Sequence, residues 1–155
     1  MKNKLCLILL FVLIFFNVIK AQDYFISVGV KLGYLWGKGD GSFNTGVEAS
    51  IMFWKNDDKL YPFGFVFDYD IAKHLKSDRI HIGIQKNVSI YGVDIGPTFM
   101  FGEENSLGIS VIPYAGFLLI PYGEFSFYNG YSVQGVGSYL KFPIKSKAKR
   151  FSFGG

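Results

Sequence analysis

The chain has 155 residues, 50% of them hydrophobic and 19% aromatic, with 19 glycines and one cysteine. That is about one domain's length, and a lone cysteine excludes a disulfide framework and a cysteine-ligated structural zinc. The formal charge of +4 sits at the two ends, in Lys2, Lys4 and Lys20 and in Lys141, Lys145, Lys147, Lys149 and Arg150. The body between them, residues 23–140, is acidic and carries no basic footprint for nucleic acid.

Residues 1–21 read as a secretory signal peptide. Lys2 and Lys4 form a charged start, Leu5 to Ile19 is apolar apart from Asn17, and Ala21 supplies a small residue for cleavage. The domain that remains is 22–155. The alternative is a retained membrane helix, but the run is shorter than the ~20 residues a span requires. Cys6 falls at the start of the apolar segment and not after it, so it is not a lipoprotein acylation site.

Tyr24 to Trp36, YFISVGVKLGYLW, sets the pattern for the rest. Tyr24, Ile26, Val28, Val30, Leu32, Tyr34 and Trp36 alternate with Ser27, Gly29, Lys31 and Gly33, which is period two and therefore a strand with two unlike faces. The glycine cluster from Gly37 to Gly41 is a turn. It does not cradle phosphate, because it leads into a strand and not into a helix. Phe43 to Trp54 alternates again, with Asn44, Gly46, Glu48 and Ser50 on the quiet face. Lys55 to Lys59 is a polar turn. Tyr61, Phe63, Phe65, Phe67 and Tyr69 form a third apolar row opposite Asp68 and Asp70. Ile71 to Asp78 reads as a longer polar connection.

Ile80, Ile82 and Ile84 alternate with His81, Gly83 and Gln85, and Lys86–Asn87 is the expected hairpin turn. Ser89 to Phe101 is a fifth strand with Asp94 on its small face, and 102–106 is a charged turn. Leu107 to about Leu119 is a sixth strand. Gly123 to Gly130 is ambiguous, Tyr131 to Ile144 is the expected seventh strand, and an eighth is placed at the C-terminus beyond the basic run Lys145 to Arg150.

This pattern predicts an all-β fold, an antiparallel up-and-down transmembrane barrel of about eight strands. A soluble sandwich also alternates. The quiet face separates the two, because it holds Gly, Ser, Ala and Asn with single charges in mid-strand, as the inside of a narrow barrel would. Lys31, Glu48, Asp68, His81 and Asp94 are the candidate lumen network, and Lys31–Glu48 is the expected ion pair. The lipid-facing expectation makes Val30→Arg costly and Gly29→Ser mild. Pro62, Pro97, Pro113, Pro121 and Pro143 are the difficulty, since proline brings no donor to a ladder and a closed barrel has no edge; bulges, rims and strand ends are their expected places.

The segment Lys20-Ala21-Gln22, the strand YFISVGVKLGYLWG and the stretch GVDIGPTFMFG at 92–102 resemble the small outer-membrane β-barrel proteins of Bacteroidota-type bacteria. The resemblance covers the whole chain after residue 21. It implies the bacterial outer membrane and a barrel of this size, and it carries no catalytic residues over.

No catalytic, cofactor or metal site stands out. His74 lies among lysines, no serine sits on a Gly-x-Ser-x-Gly elbow, and Asp68, Asp70 and Asp94 are too sparse for a calcium site. The expectation is a non-enzymatic outer-membrane barrel, porin-like in form, with a structural, adhesive or narrow-pore role. It has no cofactor, its partners are outer-membrane lipid and surface ligands reached through loops, and its oligomeric state is open. The alternative is a periplasmic or secreted soluble β-protein, sandwich or lipocalin-like, that binds an apolar ligand. A barrel enzyme acting on lipid is a third class, weighed down by the missing signature.

Overall fold

The computed structural model describes residues 23–37, 41–54, 62–72, 77–102, 105–116 and 118–146. The signal-peptide reading, His74, the turn at Lys55–Lys59 and residues 147–150 of the basic run lie outside them. Eight strands follow one another: β1 Asp23–Trp36, β2 Ser42–Trp54, β3 Phe63–Ala72, β4 Ser77–Val88, β5 Tyr91–Gly102, β6 Ser106–Ala115, β7 Leu119–Tyr128 and β8 Tyr131–Ser146. Each pairs antiparallel with the next, and β8 pairs with β1, so the sheet closes into an up-and-down barrel. Closure removes both edges. Stepping from Lys31 through register partners around the wall returns to β1 about ten residues further on, a stagger that tilts the strands by roughly 35–45°.

Several boundaries differ from those expected of the sequence; the sixth strand, expected to reach about Leu119, ends at Ala115, and Leu119 opens β7. The ambiguous stretch 123–130 belongs to β7 and its turn: Asn129–Gly130 links β7 to β8, with Gly130 at φ 87°. The eighth strand is therefore inside the chain, and the strand beginning at Tyr131 is the one that closes the barrel. Lys86 and Asn87 lie within β4, and the turn is Ser89–Ile90, with Ser89 at φ 57°. Asn87 is tied into the wall, because its amide donates to the Pro62 carbonyl (3.0 Å) and its side chain accepts from the Tyr114 hydroxyl (2.5 Å). Finally, Ile71 and Ala72 extend β3 while Ser77 and Asp78 open β4, which shortens the expected polar connection to 73–76.

The prolines account for the irregular places in the wall. The β4–β5 ladder skips Ile82 and Gly83 opposite Gly96 and Pro97. The β6–β7 ladder skips Ile112 and Pro113 opposite Gly123 and Glu124. On the β1–β8 seam the register shifts between Ile26 and Ser27, where Ser27 meets Pro143. A residue without an N–H breaks a ladder or sits at a bulge, so the objection that these prolines raise is answered locally.

The sidedness is the reverse of a water-soluble protein. Lys31, Asp68 and Glu124 are 0% exposed, whereas Leu32 is 61% and Phe43 73% exposed. Outward residues on all eight strands are mainly apolar. Outer-wall aromatics gather near the ends of strands. Tyr34 stacks edge-on against Phe43 (5.1 Å between centroids) and lies 6.4 Å from Trp36, while Phe53 packs against Phe63 (5.6 Å) at the end where β1 begins and β8 finishes.

Candidate functional site: the polar lumen

Most inward positions of β1 to β4 are small or polar because the axis is crowded. Glycine placement decides which charges meet. Lys31 is the register partner of Gly46, and Gly46 is the partner of Asp70. A Cβ on Gly46 would collide with Asp70 Oδ1 and the Tyr69 carbonyl. Without it, Lys31 reaches across β2 to β3: its Nζ donates to Asp70 Oδ2 at 2.8 Å and to Asp68 Oδ2 at 3.2 Å, and it lies 3.5 Å from Glu124 Oε2 across the lumen. The ring of Tyr122 lies under the same ammonium at 5.1 Å and that of Tyr139 at 5.5 Å, cation–π geometry in both cases. The Tyr139 hydroxyl donates to Asp68 Oδ2 (3.0 Å).

The expected Lys31–Glu48 pair is therefore corrected. Glu48 stands opposite Gly29, not opposite Lys31, and its Oε2 pairs with Lys141 Nζ at 2.9 Å. The stagger of the strands moves each long side chain to a partner that strand adjacency alone does not indicate.

A second arm of the network begins at Arg79. Its Nη2 donates to Glu124 Oε1 and to Ser126 Oγ (3.3 Å), and Nη1 lies 3.9 Å from Asp70. Ser126 donates to Glu124 (2.8 Å) and lies 2.6 Å from Ser110, which lies 2.5 Å from Thr98. Thr98 lies 2.8 Å from His81 Nδ1, and His81 Nε2 donates to Asp94 Oδ2 at 3.0 Å. This pair needs Gly83, where a Cβ would overlap Asp94 Oδ1. Lys31, Asp68, His81 and Asp94 thus fall in one connected hydrogen-bonded set, while Glu48 is held through Lys141.

Asp94, His81 and Thr98 have the order of an acid, a base and a hydroxyl nucleophile. All three are at most 3% exposed, and the Thr98 hydroxyl is engaged by Ser110, so no substrate carbonyl has access to it. The weighed cation reading of Asp68, Asp70 and Asp94 also fails. The first two hold Lys31, the third holds His81, and no group of metal-ligating side chains with suitable geometry exists among the described residues.

Arg79, Glu124 and Lys141 are lumen residues absent from the expected network. Glu124 and Ser126 do alternate with Phe125 and Phe127, which is the signal that places them inside. Lys141 groups by position with the basic tail, and Arg79 adjoins a stretch whose polarity suggests a loop. With these included, three cations (Lys31, Arg79, Lys141) face five carboxylates (Glu48, Asp68, Asp70, Asp94, Glu124) in the lumen among the described residues. At the rim opposite the start of β1, Leu35, Ala72, Met100, Tyr128 and Val133 close over this layer as an apolar lid, with Tyr131 against it.

Gly46→Ala is expected to force apart the Lys31–Asp70 contact and destabilise by about 1–3 kcal/mol, the usual effect of overpacking. Denaturant unfolding in detergent, with the m-value unchanged, is the check.

No known protein family and no curated protein matches the chain. Among solved structures it is similar in fold to Neisserial surface protein A, at 8% identity over 76% of this chain and 95% of that one, with a TM-score of 0.48. It is also similar to the attachment invasion locus protein Ail of Yersinia pestis. The complex of Ail with the heparin analogue sucrose octasulfate aligns at 11% identity over 77% of this chain and 98% of that one, TM-score 0.42. A second Ail structure aligns at 10% identity over 79% and 99%, TM-score 0.40.

Proposed function

We propose that the protein is a bacterial outer-membrane β-barrel with a plugged lumen, exported through its N-terminal signal segment, and that its role is structural and non-enzymatic. One observation carries this reading: the exposed face is apolar around the whole wall while the charges are buried inside. In water so large an apolar surface would drive aggregation. In a bilayer it is the surface that hydrocarbon solvates, and a closed ladder is the only form of sheet that survives there.

A narrow pore is the weaker form of the proposal. Ion pairs fill the mid-lumen and the lid closes one mouth, so planar-bilayer recordings are expected to stay at baseline. Adhesion through long loops is also disfavoured. At the lid rim the strands are joined by the short connections 37–41, 73–76, 103–105 and 129–130, and the longest connection, 55–62, lies at the other rim. A lipocalin-like carrier needs an open calyx, and side chains occupy that space here.

Fractionation tests the reading. The protein is expected in the detergent-extracted outer-membrane fraction and to migrate faster on gels when unheated. Recovery in the soluble periplasm or the medium without detergent overturns it.

A further inference from the structure

One strand breaks the apolar rule of the outer wall. The outward row of β8 begins Ser132, Gln134, Val136, Ser138, and only then continues as Leu140, Phe142 and Ile144. Ser132, Gln134 and Ser138 are all partly exposed. Their register partners on the adjoining strands are bulky and apolar: Phe127 beside Ser132, Phe125 and Trp36 beside Gln134, Pro121 and Leu32 beside Ser138. Apart from aromatic hydroxyls and the indole, the other polar side chains on the outer wall among the described residues are single. They are Thr45, Asp78 and Lys86, and Asp78 accepts a hydrogen bond from the Tyr69 hydroxyl (2.8 Å).

A polar side chain turned to hydrocarbon is costly without a partner. Gln134 has part of one: its Nε2 donates to Ser132 Oγ at 3.2 Å. The carboxamide keeps a second N–H and its carbonyl oxygen, and the Ser138 hydroxyl is likewise donor and acceptor at once. Such groups complement themselves. The face carries no lysine or arginine side chain among the described residues, so it has no charge to offer a lipid phosphate. Copies of one chain enter a membrane in one orientation, so a two-fold axis relating two of them runs along the bilayer normal. An isologous contact about that axis sets like against like at equal depth.

We propose that the Ser132–Ser138 half of β8 is the contact face of a homodimer, two barrels side by side in the bilayer with their Gln134 carboxamides exchanging hydrogen bonds across the two-fold axis. This rests on the membrane reading above. Trp36 and Phe125, exposed on either side of Gln134, shield the amide pair from lipid.

Cysteine cross-linking of the full chain in phosphatidylcholine vesicles tests it, in a Cys6→Ser background that leaves Gln134 in place. Val136→Cys, on the contact face, is expected to give a disulfide-linked dimer on oxidation. Ile82→Cys, on β4 across the barrel, is expected to stay monomeric. Adding Gln134→Leu suits a lipid-facing position, so heat-modifiable migration should be kept. It should raise the dimer dissociation constant, read by energy transfer between labelled copies on dilution in lipid, roughly tenfold, the scale of two hydrogen bonds formed inside a bilayer. Failure of the parent chain to insert overturns the membrane reading and the dimer with it. Inserted protein that does not cross-link at 136, that cross-links equally at 136 and 82, or that is indifferent to Gln134→Leu overturns the dimer alone.

Discussion

Lys31→Met is expected to destabilise the barrel by about 3–5 kcal/mol, the range for removing one partner of a buried ion pair. The methionine keeps much of the length of the side chain, so lost packing is a minor part of the effect. What remains is a lumen with one cation fewer against five carboxylates: Asp68 loses its ion-pair partner, and Asp70 keeps only Arg79, 3.9 Å away. Asp94→Asn removes a charge from the side already in excess and keeps a hydrogen-bond partner for His81, so it is expected to cost far less. The pairing itself is checked by double-mutant cycles in reversible denaturant unfolding. Lys31 with Asp70 should couple by about 0.5–3 kcal/mol, as contacting residues do. Lys31 with Glu48 should be close to additive. A strong Lys31–Glu48 coupling together with an additive Lys31–Asp70 pair would overturn the assignment of partners.

The neighbouring residue gives the opposite test. Val30 is 47% exposed on the outer wall beside fully buried Lys31. Val30→Arg is expected to cost roughly 2–4 kcal/mol at mid-membrane depth and to lower the yield of heat-modifiable, vesicle-inserted protein. In a water-soluble barrel the same change would be tolerated, so insertion yield into vesicles separates the two settings. Gly29→Ser, which the alternation pattern alone treats as mild, is not a safe control. A Cβ at Gly29 would lie 2.9 Å from the Leu140 carbonyl and 3.1 Å from Lys141 Cγ. Backbone on the facing strand does not give way cheaply, so Gly29→Ser is expected to be destabilising as well. Gly123→Ser, on an uncrowded outer position, is the appropriate neutral comparison.

The first strand is the most readable part of the chain, because its two faces differ in both size and polarity. Lys31 among Ser27, Gly29 and Gly33 announces a crowded interior. The same contrast is absent from β8, where the inward positions include Gly135 and Gly137 and the outward ones include Ser132, Gln134 and Ser138. Polar residues then lie on the outside and small or apolar ones within over the first half of β8, before Leu140, Phe142 and Ile144 restore the outer apolar row, so composition marks the inner face only late in the strand. β7 is obscured by Pro121 and Gly123 on its outer face, which interrupt the apolar row before Phe125. Charge partners are unreadable for a different reason. They depend on the stagger between strands and on which facing residue is a glycine, and both are properties of the closed cylinder.

The lid-side ion pairs also constrain how the chain enters a bilayer. Lys31 is on β1, Asp70 on β3, Arg79 on β4 and Glu124 on β7, so neutralisation is complete only when nearly the whole cylinder has assembled. Threading the chain in one hairpin at a time would carry Lys31, and later Arg79, through hydrocarbon without Glu124, and solitary charges there are costly. In the membrane setting proposed above, insertion is therefore expected to be concerted, with the strands gathered at the membrane surface before they cross together.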